Sequence, residues 1–157
     1  NKKIIIDKIK IIDNFYKKNF KKKPKIAITG LNPHCESIDN FNEDEKIVKP
    51  AIKFLIKSNY KVYGPFAADT IFLKQNRKKY DVILGMYHDQ SLIPFKLLSF
   101  RSGVNYTAGL PVIRVSPDHG VAYDIAGLGK ADPNSLIASI YLAIKIYNNR
   151  LNSFKKR

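Results

Sequence analysis

The chain holds one cysteine, Cys35. No internal disulfide can form, which agrees with a reducing compartment. No apolar run approaches the roughly 18 to 20 residues that a membrane span needs, so no membrane partner is expected. The N-terminal stretch "NKKIIIDKIKIIDNF" is basic, but charges interrupt its apolar part and no small-residue cleavage site follows. It does not read as a signal peptide, and a cytoplasmic protein is expected. Neither G-x-G-x-x-G nor G-x-x-x-x-G-K-[ST] occurs, so the sequence supports no standard Rossmann or P-loop phosphate cradle. Arginine is scarce, 5 residues against 23 lysines. That ratio bears on the net charge of +15. A basic surface attracts nucleic acid. A built nucleic-acid surface, however, favours arginine forks and interleaved aromatics. Lysines scattered over solvated helix faces are the better reading, and a basic nucleic-acid-binding domain is kept as the alternative.

What is present is globular material. Apolar residues make up 45% of 157, enough for one domain with a sizeable core. Ile5, Ile9, Ile12 and Tyr16 recur at helical spacing, which predicts an amphipathic helix over 4–20. Pro24 ends that segment and its basic linker. Residues 1–23 are therefore a helix plus linker, and 24–150 the core. The runs "KIAITG" (25–30), "KVYGPF" (61–66) and "DVILGMY" (81–87) read as strands. The third is apolar enough to be covered on both faces. A helix is predicted over 43–59, with Pro50 kinking it or marking its true start. Asp69 is read as the cap of a helix running towards Lys79. A short helix is expected over 90–98, further strands in "VNYTAG" and "VIRVSP", a long loop over 117–133, and a last helix over 135–148 with Asp132 or Asn134 near its cap. Alternating strands and helices imply an α/β fold with a largely parallel sheet flanked by helices, and ligands at the carboxyl ends of its strands.

Several polar residues stand out. His34 follows a strand in the Pro-fixed turn "GLNPHCE", a setting for metal ligation or acid–base work, or simply an exposed loop histidine. Cys35 is a thiol ligand, a nucleophile or, better, a small filler. His88 lies in "MYHDQ", where Asp89 and Gln90 can steady an imidazole on a metal, or merely close a strand end. Lys96, Asn105 and Arg114 sit in apolar or glycine-rich surroundings. Cations in such places usually meet an anion, because an unpaired buried charge is costly. A phosphorylated or carboxylated small molecule fits, as does internal pairing with Asp81, Asp89 or Asp118. The string "SPDHGVAYDIAGLGKADPNS" (116–135) is a long loop carrying His119, glycines and aspartates, and loops of this length are usually functional.

The strings "GLNPH", "GPFAADT", "MYHDQ", "RSGVN", "GLPVIR" and "DHGVAYDIAGLGKAD", in this order over positions 24–147, resemble the 4-hydroxythreonine-4-phosphate dehydrogenase (PdxA) family. The last is also similar to the adenine-binding loop of isocitrate and isopropylmalate dehydrogenases, which share that family's fold. The resemblance implies that His34 and His88 are metal ligands, for zinc, magnesium or cobalt, with Asp69 an acidic residue near the metal. Lys96, Asn105 and Arg114 would hold the substrate, a phosphorylated hydroxy amino acid, with Lys96 also carrying a proton. His119, Gly120 and Asp132 would contact the adenine of NAD, or of NADP. Asp132 stands where the decarboxylating relatives carry asparagine. The implied reaction is oxidation of 4-phosphohydroxy-L-threonine followed by loss of carbon dioxide, a step of pyridoxal phosphate biosynthesis. A related dehydrogenase of another hydroxy acid is the second possibility.

Two departures accompany the resemblance. The family's glycine-rich stretch after "NPH" is replaced by "CESIDNFNEDE", and Ala67 replaces a usual proline. The match is to the C-terminal half alone. Residues 1–157 are thus expected to be a region of a longer dehydrogenase, a homodimer with its site at the interface, in which a missing N-terminal half supplies a third metal histidine.

Overall fold

A computed structural model describes residues 1–36 and 42–154. It divides into two compact units. One comprises 1–17 and 21–94, the other 18–20 and 95–157. Among the described residues, no helix is long and apolar enough to cross a membrane.

The first unit is built on a three-stranded parallel sheet, β1 (Ile26–Thr29), β2 (Val62–Phe66) and β3 (Val82–Leu84), in the order β2-β1-β3. β1 is central and buried throughout. Ile26 faces Val62 on one side and Val82 on the other. At Gly64 the backbone takes φ 128°, and a Cβ there would lie 2.4 Å from the Ile28 carbonyl. Only glycine lets β2 run this close to β1.

Helix α1 (Lys2–Phe20) starts where Asn1 accepts a hydrogen bond from the Lys3 amide, the usual N-cap arrangement. Its Ile5 and Ile9 are buried in the core with Ile26, Ile28 and Val62, while Ile12 packs at the margin. The spacing-based helix is therefore part of this core. Residues 44–48 form a π-helical turn, and α2 (Lys49–Lys57) follows with Pro50 at its start. Proline suits that position because the first amides of a helix lack partners anyway. Val48, Ala51, Ile52 and Leu55 close the core.

Asp81 fastens the entry to β3. Its Oδ1 accepts from Lys22 Nζ at 2.5 Å and its Oδ2 from the Lys25 amide at 2.9 Å, while its carbonyl accepts from the Tyr16 hydroxyl. Burial alone would raise the carboxyl pKa. The Lys22 ammonium and the Lys25 amide outweigh it and hold Asp81 below the ordinary carboxylate value.

The second unit pairs β4 (Val104–Tyr106) with β5 (Val115–Pro117), antiparallel, against α6 (Asn134–Phe154). Arg150 on α6 donates to the Asn19 side chain, the Pro111 carbonyl and the Tyr106 hydroxyl. The start of α6 is fixed by Asp132, whose Oδ1 accepts from the Asn134 amide at 2.9 Å.

The parallel α/β sheet is as the patterning implies, but four local readings are corrected. β3 is only three residues long and half-buried, since it is the edge of the described sheet. The apolar run continues past it as a turn, and His88 opens α5 (His88–Ser99) instead of ending a strand. The segments around 104 and 115 form their own antiparallel pair, not part of the parallel sheet. Asp69 does not cap a helix reaching Lys79. Ala67 caps α3 (Ala68–Ile71), and a break at Leu73 separates α4 (Lys74–Arg77). Ala67 has φ −61°, an angle that proline also adopts. Of the replaced stretch after "NPH" (35–45), residues 37–41 lie outside the described residues.

Candidate functional site

In the first unit, the three strands run parallel, so their carboxyl ends share one edge. Asp69, His34 and His88 follow β2, β1 and β3 by a few residues each and therefore emerge at that same edge. His34 is the third residue of a turn closed by the Cys35 amide on the Asn32 carbonyl at 3.0 Å. Pro33 occupies the second position, where its fixed φ is already correct. Cys35 adopts φ 61°, a left-handed conformation that few side chains favour.

Two buried side chains hold these turns. Asp44, fully buried, accepts from the Leu31 amide at 2.7 Å and from the Asn32 amide at 2.9 Å, one with each carboxylate oxygen. Gln90 donates through Nε2 to the Gly30 carbonyl at 2.8 Å. Its Oε1 accepts from the Met86 amide at 2.8 Å and from the Thr29 hydroxyl at 2.7 Å. One glutamine thus ties the root of the His34 turn to the root of the His88 turn. Thr29 alone would have to share its hydroxyl between the two strands.

Both imidazoles are exposed. His88 Nδ1 lies 2.7 Å from Asp89 Oδ1. A nitrogen facing a carboxylate carries the proton, which leaves Nε2 with the lone pair a metal requires. Among the described residues, no three His, Cys, Asp or Glu side chains gather as a metal-binding group. Two imidazoles at one edge are a partial donor set for zinc or a similar ion. Burial pushes the Cys35 thiol up, so it is a poor thiolate ligand or nucleophile and fits the filler reading.

In the second unit, the loop after β5 and the adjoining parts of α5 and α6 enclose a cavity of about 460 Å³. Lys96, His119, Gly120 and Asp132 all line it, with Phe100, Ile125 and Ser135 among the others. A Cβ at Gly120 would meet nothing within 4 Å, so the backbone there faces open space. His119 Nδ1 lies 2.9 Å from the Gly120 carbonyl. That nitrogen donates to the carbonyl, and in the neutral ring Nε2 is then an acceptor.

Lys96 is not a solitary cation. Nζ lies 2.8 Å from Asp118 Oδ2 and donates to the Asp118 carbonyl at 2.7 Å. Of the three aspartates open to it on sequence grounds, Asp118 is the one it pairs with. Asn105 and Arg114 lie outside the cavity, on the β4–β5 ribbon. Asn105 is opposite Ser116, and Thr107 bonds to Arg114 through both backbone and side chain. Strand alternation places 105, 107, 114 and 116 on one face, where Asn105 and Arg114 are exposed and Thr107 and Ser116 half-buried. The sequence reading did not single out Asp44 or Ser135, and it treated Gln90 only as part of a polar cluster.

The fold is shared with solved dehydrogenases. A 4-hydroxythreonine-4-phosphate dehydrogenase structure from Klebsiella pneumoniae superposes with a TM-score of 0.77 at 44% identity, covering 93% of this chain and 44% of that one. The family model described as "Pyridoxal phosphate biosynthetic protein PdxA" matches residues 1–143. A 4-hydroxythreonine-4-phosphate dehydrogenase of Sulfurihydrogenibium sp. (strain YO3AOP1) is 49% identical over 145 residues, 91% of this chain and 44% of its own length. A D-threonate 4-phosphate dehydrogenase of Pectobacterium atrosepticum is 46% identical over 139 residues, 88% of this chain and 43% of its own. The chain belongs to the PdxA family, and it spans less than half the length of these relatives.

Proposed function

We propose that this chain is the C-terminal region of a metal- and NAD-dependent dehydrogenase that oxidises and decarboxylates 4-phosphohydroxy-L-threonine to 3-amino-2-oxopropyl phosphate. What supports the reading is the placement of its residues. Residues 34 and 88 follow the neighbouring parallel strands β1 and β3 at their carboxyl ends, and a cavity of about 460 Å³ is lined by His119, Gly120 and Asp132.

The residues suit the two groups the reaction needs. His34 and His88 would hold a divalent ion, zinc, magnesium or cobalt, with Asp69 nearby. The missing half would complete the set. His119 Nε2 offers an acceptor for the exocyclic amine of adenine, and the open face of Gly120 admits the ring plane. When bound, the metal supplies Lewis acidity and NAD, or NADP, a hydride acceptor.

The chain's own groups bind and move protons. Arg114, with Asn105 on the same ribbon face, presents a planar fork to phosphate or carboxylate. Lys96 adds a point charge. Oxidation of the secondary alcohol yields a β-keto acid, which loses carbon dioxide because the ketone accepts the electron pair. Lys96 Nζ then delivers the proton to the carbon left behind.

The whole protein is read as a cytoplasmic homodimer with its site at the interface. Exposed apolar residues on α6, among them Ile140, Tyr141 and Ile144, are surface that a missing half or a second subunit can cover. The similarity to the D-threonate 4-phosphate dehydrogenase favours a second reading. That substrate would keep the phosphate and the 3-hydroxy acid and differ at C2. NADH formation from each phosphorylated acid decides between them, measured with the chain alone and with an N-terminal half supplied. Turnover that requires the supplied half and is lost in the His34→Ala, His88→Ala double variant supports the proposal. Turnover unaffected by that double change refutes the metal assignment.

A further inference from the structure

Asp118 stands between two jobs that the proposed function gives to neighbouring residues. Its side chain and carbonyl together engage Lys96 Nζ, at 2.8 Å and 2.7 Å. Its amide donates to the Ser135 hydroxyl at 2.8 Å, and that hydroxyl donates to the Gly103 carbonyl at 2.6 Å. Asp118 is therefore fixed from both sides, to α5 through Lys96 and to the start of α6 through Ser135. The next residue in the chain is His119. Asp118, Lys96 and Ser135 all line the loop cavity.

Two consequences follow from charge and geometry. The carboxylate cancels much of the field that an approaching anion would feel from Lys96, because it lies within contact distance of the ammonium. The same contact anchors the first residue of a long loop that is otherwise mostly exposed, and a charge-assisted contact is stronger than a neutral one. Lys96 thus serves as loop anchor and anion site at once, and Asp118 sets the balance.

Resting on the proposed function, we infer that Asp118 is a positioning residue that orders the nucleotide-binding loop through Lys96 while restraining the affinity of Lys96 for an anion. Removing its charge should loosen one site and sharpen the other.

The test uses the 157-residue chain and two probes, adenosine, which is neutral, and inorganic phosphate. Amide shifts of residues 95–97 and 118–132 give local dissociation constants that the many other lysines do not mask. In Asp118→Asn, adenosine should bind about tenfold more weakly, in keeping with loss of the ion pair to Lys96. Phosphate should bind several-fold more tightly at Lys96. In Lys96→Gln both probes should bind more weakly. A purely structural role for Asp118 would weaken both probes in Asp118→Asn, and that result overturns the inference. An adenosine constant unchanged in either variant overturns it as well. If neither probe binds the unaltered chain at these residues, the reading of the cavity and of Lys96 falls, and the inference falls with it. Far-ultraviolet circular dichroism of each variant separates these outcomes from misfolding, and should a variant misfold, Ser135→Ala, which cuts the other tether, must weaken adenosine and leave phosphate unchanged.

Discussion

The two units bury their apolar residues very differently. Of the buried apolar residues described, all but Ile146 belong to the first unit. There α1, β1, α2 and β2 close on one another, and the central strand is sealed from solvent. The second unit buries Ser135 and Ser139 on α6, yet leaves Leu97 at 82% and Phe100 at 72% exposure. Hydrophobic burial dominates folding free energy, so the first unit holds most of what stabilises this chain by itself. The second leaves large apolar side chains in contact with solvent.

That contrast can be broken by mutation. Leu55→Ala, in the sealed core, should cost about 2 to 5 kcal/mol, as buried leucines do. Ile140→Ala, on the exposed face of α6, should stay within about 0.5 kcal/mol. Urea unfolding of both variants checks the difference, and equal losses would contradict it. Native-state hydrogen exchange should agree, with amides of β1 opening only at the global free energy and those of α6 opening more readily.

A smaller effect is expected at the polar seam of the first unit. Gln90→Leu leaves the Gly30 carbonyl without its side-chain donor and the Met86 amide with only the Thr29 hydroxyl, and should cost about 1 to 3 kcal/mol. Because that glutamine roots both histidine turns, metal binding should weaken as well. Gln90→Leu with unchanged metal affinity would show that the turns hold their shape without it.

The smallest effect concerns pH. Asp81 is held below the ordinary carboxylate value, so it stabilises the fold above roughly pH 4, and the benefit disappears as pH falls through its lowered pKa. Asp81→Asn should cost about 1 kcal/mol or less at pH 7, given partial solvent screening. The gap to the unaltered chain should close below about pH 4 in urea titrations. A gap that widens in acid would reverse the assignment.

How much was legible follows from where the information lies. The Ile5, Ile9 and Ile12 spacing and the run 25–30 report a local pattern with a buried face, and both elements are found. The end of β3 was misjudged because apolar character continues through Gly85–Tyr87, while the strand stops at Leu84. Hydrophobicity marks burial and does not mark where a ladder ends. The antiparallel sense of β4 and β5 has no signature in three-residue strands. His34, His88 and the cavity residues stand out in the sequence because motifs carry them. Asp44 has no signature in the sequence, because its grip on the Leu31 and Asn32 amides depends on a contact made only in the folded chain. Lys96 had three candidate partners by sequence, and only the fold brings Asp118 to it.

The central claim is that imidazoles 34 and 88, the first on the turn after β1 and the second at the start of α5 after β3, serve one cation. Cobalt titration of the chain, followed by visible absorption, tests it directly. The account predicts one site per chain, lost when either His34 or His88 becomes Ala. Two independent sites, or a spectrum indifferent to either change, would contradict it.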